Sequence, residues 1–243
     1  MIVLFTDFGL EGPYTGQVKA VLAREAPGLA VIDLMADAPM QRPREAAYLL
    51  AAYFQAFPED SVYLCVVDPG VGTDRPAEAL RIDGRWFVGP GNGLFEPLLR
   101  RAGRVEAFAI APKPDASASF HGRDIFAPAA GKLARGLDPR EIGLVPASPL
   151  RQPDWPDDLP AIVYIDRYGN AMTGLRAAGL GQGAQLQVGG HIYARARTFG
   201  AVPEGQGFWY ENANGLAEIA VNQGRADALP GMRIGASIVT AGL

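Results

Sequence analysis

The chain has 243 residues, 49% hydrophobic and 20% charged, with a formal net charge of -4. That length allows one large domain or two modest ones with a substantial core, and the hydrophobic balance excludes an extended disordered chain. Mild acidity, without a lysine–arginine stripe interleaved with aromatics, argues against nucleic acid and for a small-molecule partner. No apolar run approaches the roughly 18 residues of a membrane-spanning helix, and the start without a basic leader reads as cytoplasmic. Cys65 is the only cysteine and lies in an apolar run. An internal disulfide and a Cys-rich zinc site are therefore excluded, and the residue reads as a small buried hydrophobe.

In chain order, residues 2–6 form a short β-branched strand that leads into Asp7-Phe8-Gly9, a turn that presents a carboxylate at a strand end. Pro13 opens a helix with Val18, Val21 and Leu22 on one face, and Pro27-Gly28 ends it. A strand over 30–34 precedes a second helix from Pro43, where Ala47, Leu50, Ala51 and Phe54 recur at helical spacing. Residues 62–67 form the third strand, ending on Asp68. Segments 79–82 and 85–88 flank Asp83-Gly84, whose residues tolerate the positive φ of a two-residue hairpin. The run Gly89-Pro90-Gly91-Asn92-Gly93 fits either a close approach to a ligand or only a turn into a helix carrying Leu94, Leu98 and Leu99. It contains no Walker loop or dinucleotide fingerprint. A strand over 105–110 and a loop around His121 lead to a helix over 124–135 stopped by Gly136.

Five prolines between 146 and 160 read as a linker between domains. Beyond it the texture changes to short β-rich runs at 162–165, 185–188, 192–194, 208–210, 216–221 and 234–240, separated by glycine-rich turns. The expected architecture is α/β. An amino-terminal domain over 1–147, with a largely parallel sheet flanked by helices, is followed by a linker over 148–160 and a smaller all-β, barrel-like domain over 161–243.

Two loops concentrate chemistry. Asp68-Pro69-Gly70-Val71-Gly72-Thr73-Asp74-Arg75 follows a strand, and Phe120-His121-Gly122-Arg123-Asp124 opens a helix. Side chains at the carboxyl ends of buried strands line ligand crevices in open α/β sheets, so the two loops are expected to face one another. Taken singly, an aspartate before Pro-Gly is commonly a turn former, and an isolated histidine is commonly structural.

Together with Thr6-Asp7-Phe8-Gly9, Gly89-Pro90-Gly91-Asn92-Gly93-Leu94 and Ile165-Asp166-Arg167-Tyr168-Gly169-Asn170, these motifs form an ordered set. It resembles the S-adenosylmethionine hydroxide adenosyltransferases, the water-using relatives of the fluorinating and chlorinating enzymes, over nearly the whole chain. The resemblance implies hydrolysis of S-adenosyl-L-methionine to adenosine and L-methionine by attack of water or hydroxide at the ribose 5′ carbon. The sulfonium becomes a neutral thioether, and charge cancellation of this kind is favoured in a dry site.

The same resemblance assigns the activating residues to Asp68, Arg75 and His121. Asp68 would accept a hydrogen bond from the water and Arg75 would orient it. His121, with an ordinary pKa of about 6.5, would sit neutral and take or relay a proton. Asp7 matches a ribose-binding aspartate, with an Asx turn or helix cap as the plainer reading. Asp166 matches the holder of the methionine ammonium, and Asn170 the reader of the adenine edge, donating and accepting at once. Tyr168 and Phe199 are expected purine walls or else core, and Phe120 and Gly122 align beside the reacting carbon. Arg123 and Asp124 read as a helix-start pair.

The chain departs from its halogenating relatives in three places. Leu10-Glu11-Gly12-Pro13 lacks their second acid, Ala213-Asn214 replaces a Ser-Arg pair, and Gln41 falls near a tryptophan wall. The methionine carboxylate would then rest on the backbone around Asn212 and Ala213. The resemblance also implies a homotrimer with active sites at subunit interfaces, and no metal or cofactor besides the substrate. A halide-dependent adenosyltransferase and a non-catalytic adenosine- or S-adenosylmethionine-binding module are the alternatives. Asp68 disfavours the halide reading, because a carboxylate repels a small anion.

Overall fold

A computed structural model describes residues 1–112 and 114–242, so Leu243, the last residue of the expected second domain, lies outside it. The chain divides into two compact units. The first comprises 1–47 and 54–153, and the second 48–53 and 154–243.

The first unit is built on a seven-stranded sheet. Its elements are β1 (Ile2–Thr6), α1 (Tyr14–Glu25), β2 (Val31–Met35), β3 (Val62–Val66), β4 (Ala77–Ile82), β5 (Arg85–Pro90), α3 (Glu96–Arg101), β6 (Val105–Ala109), α4 (Ala127–Ala134) and β7 (Val145–Pro146), while α2 (Pro43–Tyr53) contributes its residues to both units. The strand order is β2-β1-β3-β5-β4-β6-β7. Strands β2, β1, β3 and β5 pair in parallel, whereas β4, β6 and β7 join antiparallel, so the sheet is mixed. The parallel half explains the unbroken apolar runs: every residue of β1 and β3 is buried, as strands covered on both faces require. Val18, Val21 and Leu22 of α1 and Ala127, Ala130 and Leu133 of α4 close one face over Ile2, Leu4, Leu64 and Val88.

Chain order makes this half a ligand scaffold. From β1 the chain moves out to β2 and returns to β3 on the opposite side of β1. The crevice beyond the carboxyl ends of β1 and β3 is therefore a topological switch point, where α/β sheets bind ligands. Asp7 follows β1 and Asp68 lies two residues beyond β3.

The Asp83-Gly84 hairpin forms with φ of 46° and 91°. The glycine run at 89–93 proves to serve packing. A Cβ on Gly89 would stand 2.2 Å from the Cys65 carbonyl oxygen, and Asn92 donates its side-chain amide to the Val67 carbonyl at 2.9 Å, bracing the strand end before Asp68. Cys65 itself is fully buried. The helix expected over 124–135 is replaced at its start by a π-helical turn over Gly122–Phe126 that runs into α4, and Gly136 ends it at φ 79°.

The proline-rich segment is tied down in its first half by two buried carboxylates. Glu78 accepts the Leu150 N–H at 2.7 Å, and Glu96 accepts the Gln152 N–H at 2.7 Å and the Arg151 guanidinium at 3.0 Å. The turn of the chain into the second unit follows Pro153.

The second unit carries β8 (Leu159–Ile165), β9 (Ala171–Arg176), β10 (Gln185–Val188), β11 (His191–Ala194), β12 (Gly207–Glu211), β13 (Leu216–Val221) and β14 (Val239–Ala241). They form two antiparallel sheets, ordered β12-β13-β9-β8 and β11-β10-β14. Strand β9 was not expected, because Ala-Met-Thr-Gly-Leu-Arg has weak strand propensity. Its place is set by packing, since a Cβ on Gly174 would meet Leu159 at 2.7 Å. The run expected over 234–240 contributes only its end, as β14. Trp209, fully buried, donates its indole N–H to the Ala184 carbonyl at 2.9 Å inside this core.

Replacing Gly89 by alanine should destabilise the protein, because the atom it meets is backbone and cannot rotate away. The expected loss is about 1–3 kcal/mol, read as a lower urea midpoint; an unchanged midpoint would contradict the close β3–β5 approach.

Candidate active site

The loop after β3 folds on itself through Thr73, whose Oγ1 donates to the Gly70 carbonyl at 2.7 Å, so Arg75 returns beside Asp68. The Arg75 guanidinium grips the carboxylate: Nε donates to Oδ1 at 2.9 Å and to Oδ2 at 3.0 Å, and a terminal nitrogen donates to Oδ2 as well. The same terminal nitrogen lies 2.9 Å from His121 Nδ1. The Phe126 ring backs the guanidinium at 5.1 Å, and the Asp68 and Arg75 side chains retain only 4% and 9% exposure. The two loops also touch through their backbones. Gly72, at φ 80°, leaves room where a Cβ would stand 2.7 Å from the Ala118 carbonyl oxygen. The expected convergence of Asp68, Arg75 and His121 is thus present, with arginine as the bridge.

That bridge fixes the state of the histidine. A guanidinium can only donate, so His121 Nδ1 must be the acceptor and the neutral ring carries its hydrogen on Nε2. Burial first, and then the positive charge of Arg75, push the His121 pKa below its ordinary value, against smaller opposing effects from Asp68 and Asp124. His121 therefore offers a donor at Nε2. Its acceptor nitrogen, Nδ1, faces Arg75.

Around the trio, Phe120 meets Phe8 and Tyr14 edge to face at 5.9 and 5.4 Å. Gly122 sits under the Phe8 ring, where a Cβ would be 2.9 Å from Cζ. Arg123 and Asp124 pair with each other at 2.6 and 2.8 Å, and Asp124 accepts the Ser117 N–H at 2.9 Å. They brace the loop, as a helix-start pair should. Asp7 accepts the Gln41 N–H at 2.9 Å, and Gln41 reaches it from a left-handed conformation at φ 55°. Burial, aided by the charge of Asp68, pushes the Asp7 carboxyl upward, while backbone N–H groups pull the other way.

In the second unit, Asp166, Tyr168, Asn170 and Phe199 line a hollow of about 640 Å³ together with Tyr210, Glu218 and Arg225. Tyr168 stands at its rim, 76% exposed. Phe199 packs edge to face on Tyr210 at 5.3 Å. Asp166 holds the Asn170 N–H at 2.8 Å across the Gly169 turn. Asn212 turns inward to Glu218 at 2.8 Å, while Ala213 is exposed on the turn, away from that hollow's lining. Asn212 also lines a second hollow, with Arg195, Arg197 and Glu211. Sequence reading passed over Glu218 and Tyr210. The available signal was a carboxylate within the otherwise apolar run Leu-Ala-Glu-Ile-Ala-Val, where a buried charge needs partners.

Among the described residues no group of three or more His, Cys, Asp or Glu is placed to hold a metal, and no helix is long and apolar enough to cross a membrane.

Comparison with known proteins agrees with the division of the chain. The family model for the SAM hydroxide adenosyltransferase N-terminal domain matches residues 2–143, and that for the SAM hydroxide adenosyltransferase C-terminal domain matches 160–239. An (R)-S-adenosyl-L-methionine hydrolase from Thermus thermophilus is 44% identical, with 96% of each chain covered. A protein of the same name from Salinispora arenicola is 36% identical over 98% of this chain and 96% of its own. The crystal structure of an uncharacterized conserved protein from Thermotoga maritima superposes with a TM-score of 0.87 at 30% identity, covering 98% of both chains.

His121 and His191 are the only histidines, so their ring protons can be followed separately by NMR. His121 should titrate below about 6.5. Its contribution to stability is then present above that value and lost as pH falls through the lowered folded pKa, because the unfolded chain binds the proton first. In Arg75→Gln the midpoint should move upward; a downward move would contradict the arginine bridge.

Proposed function

The chain belongs to the S-adenosylmethionine hydroxide adenosyltransferase family, and from that premise we propose that it hydrolyses S-adenosyl-L-methionine to adenosine and L-methionine. The observation that carries the mechanism is the buried Arg75 guanidinium shared between Asp68 and His121. Asp68 Oδ1 accepts one hydrogen bond from Arg75 and keeps a lone pair for a water molecule. The neutral His121 donates its Nε2–H to the oxygen of that water. Arg75 places a positive charge behind both and so favours a hydroxide-like nucleophile.

The oxygen then bonds to C5′ as the carbon–sulfur bond breaks and its electron pair goes to sulfur. The water's proton passes to the Asp68 carboxylate and on to solvent. One water is consumed and one proton released per turnover. No metal is needed, since the leaving group departs neutral.

Phe120 and Gly122 flank the reacting carbon in this reading, and Asp7 accepts from the ribose hydroxyls. Asp166 holds the ammonium, Asn170 reads the adenine, and Tyr168 and Phe199 wall it. The backbone around Asn212 and Ala213 receives the carboxylate. The reading extends to a homotrimer acting in the cytoplasm, with active sites at subunit interfaces.

Incubation with S-adenosyl-L-methionine should yield adenosine and methionine in equal amounts, unchanged by chloride or by a metal chelator. A chloride-dependent nucleoside product would overturn the assignment to water. Asp68→Asn should still bind substrate but release adenosine at least tenfold more slowly, whereas an equal rate would remove Asp68 from the mechanism. Light scattering should return three times the 25.8 kDa chain mass; a monomer would refute the trimer.

A further inference from the structure

The turn that carries Asp166 and Asn170 is closed from within and held from outside. Within it, Asp166 accepts the Asn170 N–H at 2.8 Å and the Asn170 side-chain amide at 3.2 Å, and the Gly169 N–H donates back to the Asp166 carbonyl at 3.0 Å. These bonds fix the two side chains relative to each other. They leave the carbonyls of Arg167 and Gly169 to find partners elsewhere.

Both partners come from one short segment after β13. Arg225 donates Nη1 to the Arg167 carbonyl at 3.0 Å, and the Asp227 N–H donates to the Gly169 carbonyl at 3.0 Å. The Asp227 carboxylate also accepts the Arg225 guanidinium, from Nε at 2.9 Å and from Nη2 at 2.7 Å. Between the two, Ala226 is fully buried in the core of the second unit and anchors the segment. The fit is close. Gly169 lies at φ 86°, and a Cβ there would stand 2.7 Å from Asp227 Oδ1 and 2.9 Å from Arg225 Cβ.

An exposed ion pair adds little to stability, and the Arg225 and Asp227 side chains are 53% and 27% exposed. Its effect here is one of direction. A carboxylate that holds two nitrogens of a planar guanidinium leaves the third aimed at one place, and for Arg225 that place is the Arg167 carbonyl. The same carboxylate offsets the charge of Arg225, which lines the hollow proposed to take a cationic substrate.

We infer that Arg225 and Asp227 are positioning residues for substrate binding: together they clamp the Asp166–Asn170 turn from outside and hold its carboxylate and amide in place for the ligand. This inference rests on the reading that Asp166 and Asn170 contact the substrate, and it adds two residues that act through the turn. Loosening the clamp should cost binding and spare the chemical step, because Asp68, Arg75 and His121 belong to the other unit.

The test measures KM and kcat for S-adenosyl-L-methionine, adenosine affinity by calorimetry and the urea midpoint, in the full-length wild type and three variants. Arg225→Met should raise KM and the adenosine dissociation constant about tenfold each, with kcat within about twofold of the wild type and an unchanged urea midpoint. Arg225→Lys should stay within about threefold of Arg225→Met, because lysine keeps the charge but cannot span a carboxylate and a carbonyl with a fixed fork. Wild-type values in Arg225→Lys would overturn the inference by leaving charge alone as the cause. Asp227→Ala, at a residue outside the hollow's lining, should raise both constants at least about threefold, and no rise there would overturn the inference as well. So would a fall in kcat as large as the rise in KM, or loss of fold in all three variants. Weaker adenosine binding in the variants, with no turnover in the wild type, would refute the proposed reaction and leave the clamp standing, whereas turnover with a wild-type KM in every variant would do the reverse. A wild type that neither binds adenosine nor turns over S-adenosyl-L-methionine would overturn both.

Discussion

Everything chemical in the first unit depends on one guanidinium held out of water. Arg75 satisfies two oxygens of Asp68 and one nitrogen of His121 with a rigid planar fork, a task for which lysine has the charge but not the geometry. Burial raises the cost of leaving any member alone. Desolvating a carboxylate costs several kcal/mol, and hydrogen bonds from a fixed cation offset this only when well aligned. The fold supplies the alignment through strand β3, the Thr73 turn, and the contact of Gly72 with the backbone at Ala118. The π-helical turn at Gly122–Phe126 then brings His121 to the guanidinium and Phe126 behind it.

The second unit solves a related problem with the opposite sign. Its hollow is organised around buried acid, with Glu218 and Asp166 acting as acceptors for amides and a phenol. Burial pushes the Glu218 carboxyl upward, while its bonds to Tyr210 and Asn212 hold it down. The Tyr210 hydroxyl, buried against that carboxylate, is pushed well above the usual phenol range. A cationic sulfonium substrate suits such a lining, since its charge is complementary to the acid.

Much of this was legible in the sequence for reasons that can be named. Apolar runs ending on Asp7 and Asp68 gave strands with carboxylates at their carboxyl ends, because parallel strands buried on both faces admit few polar residues before the turn. Asp83-Gly84 read as a hairpin for a steric reason. The hairpin announces the antiparallel β4–β5 pair, but the rest of the mixed character was less visible, since β6 joins β4 and not β5, a pairing that local pattern does not record. Strand β9 was hidden because Gly174 is there to let Leu159 approach, a tertiary cause with no local signature. The tautomer of His121 was not legible, because it depends on the partner of each ring nitrogen, and that partner stands 46 residues away.

Cys65 has a practical consequence. Its thiol has no exposed surface, and burial holds its pKa well above the ordinary value, so the reactive thiolate hardly forms while the protein is folded. A cysteine introduced at Leu10, 85% exposed beside the Asp7 turn, would be the one accessible thiol for a maleimide dye. Fluorescence from that position could then report events at the mouth of the crevice without removing any native side chain from the core.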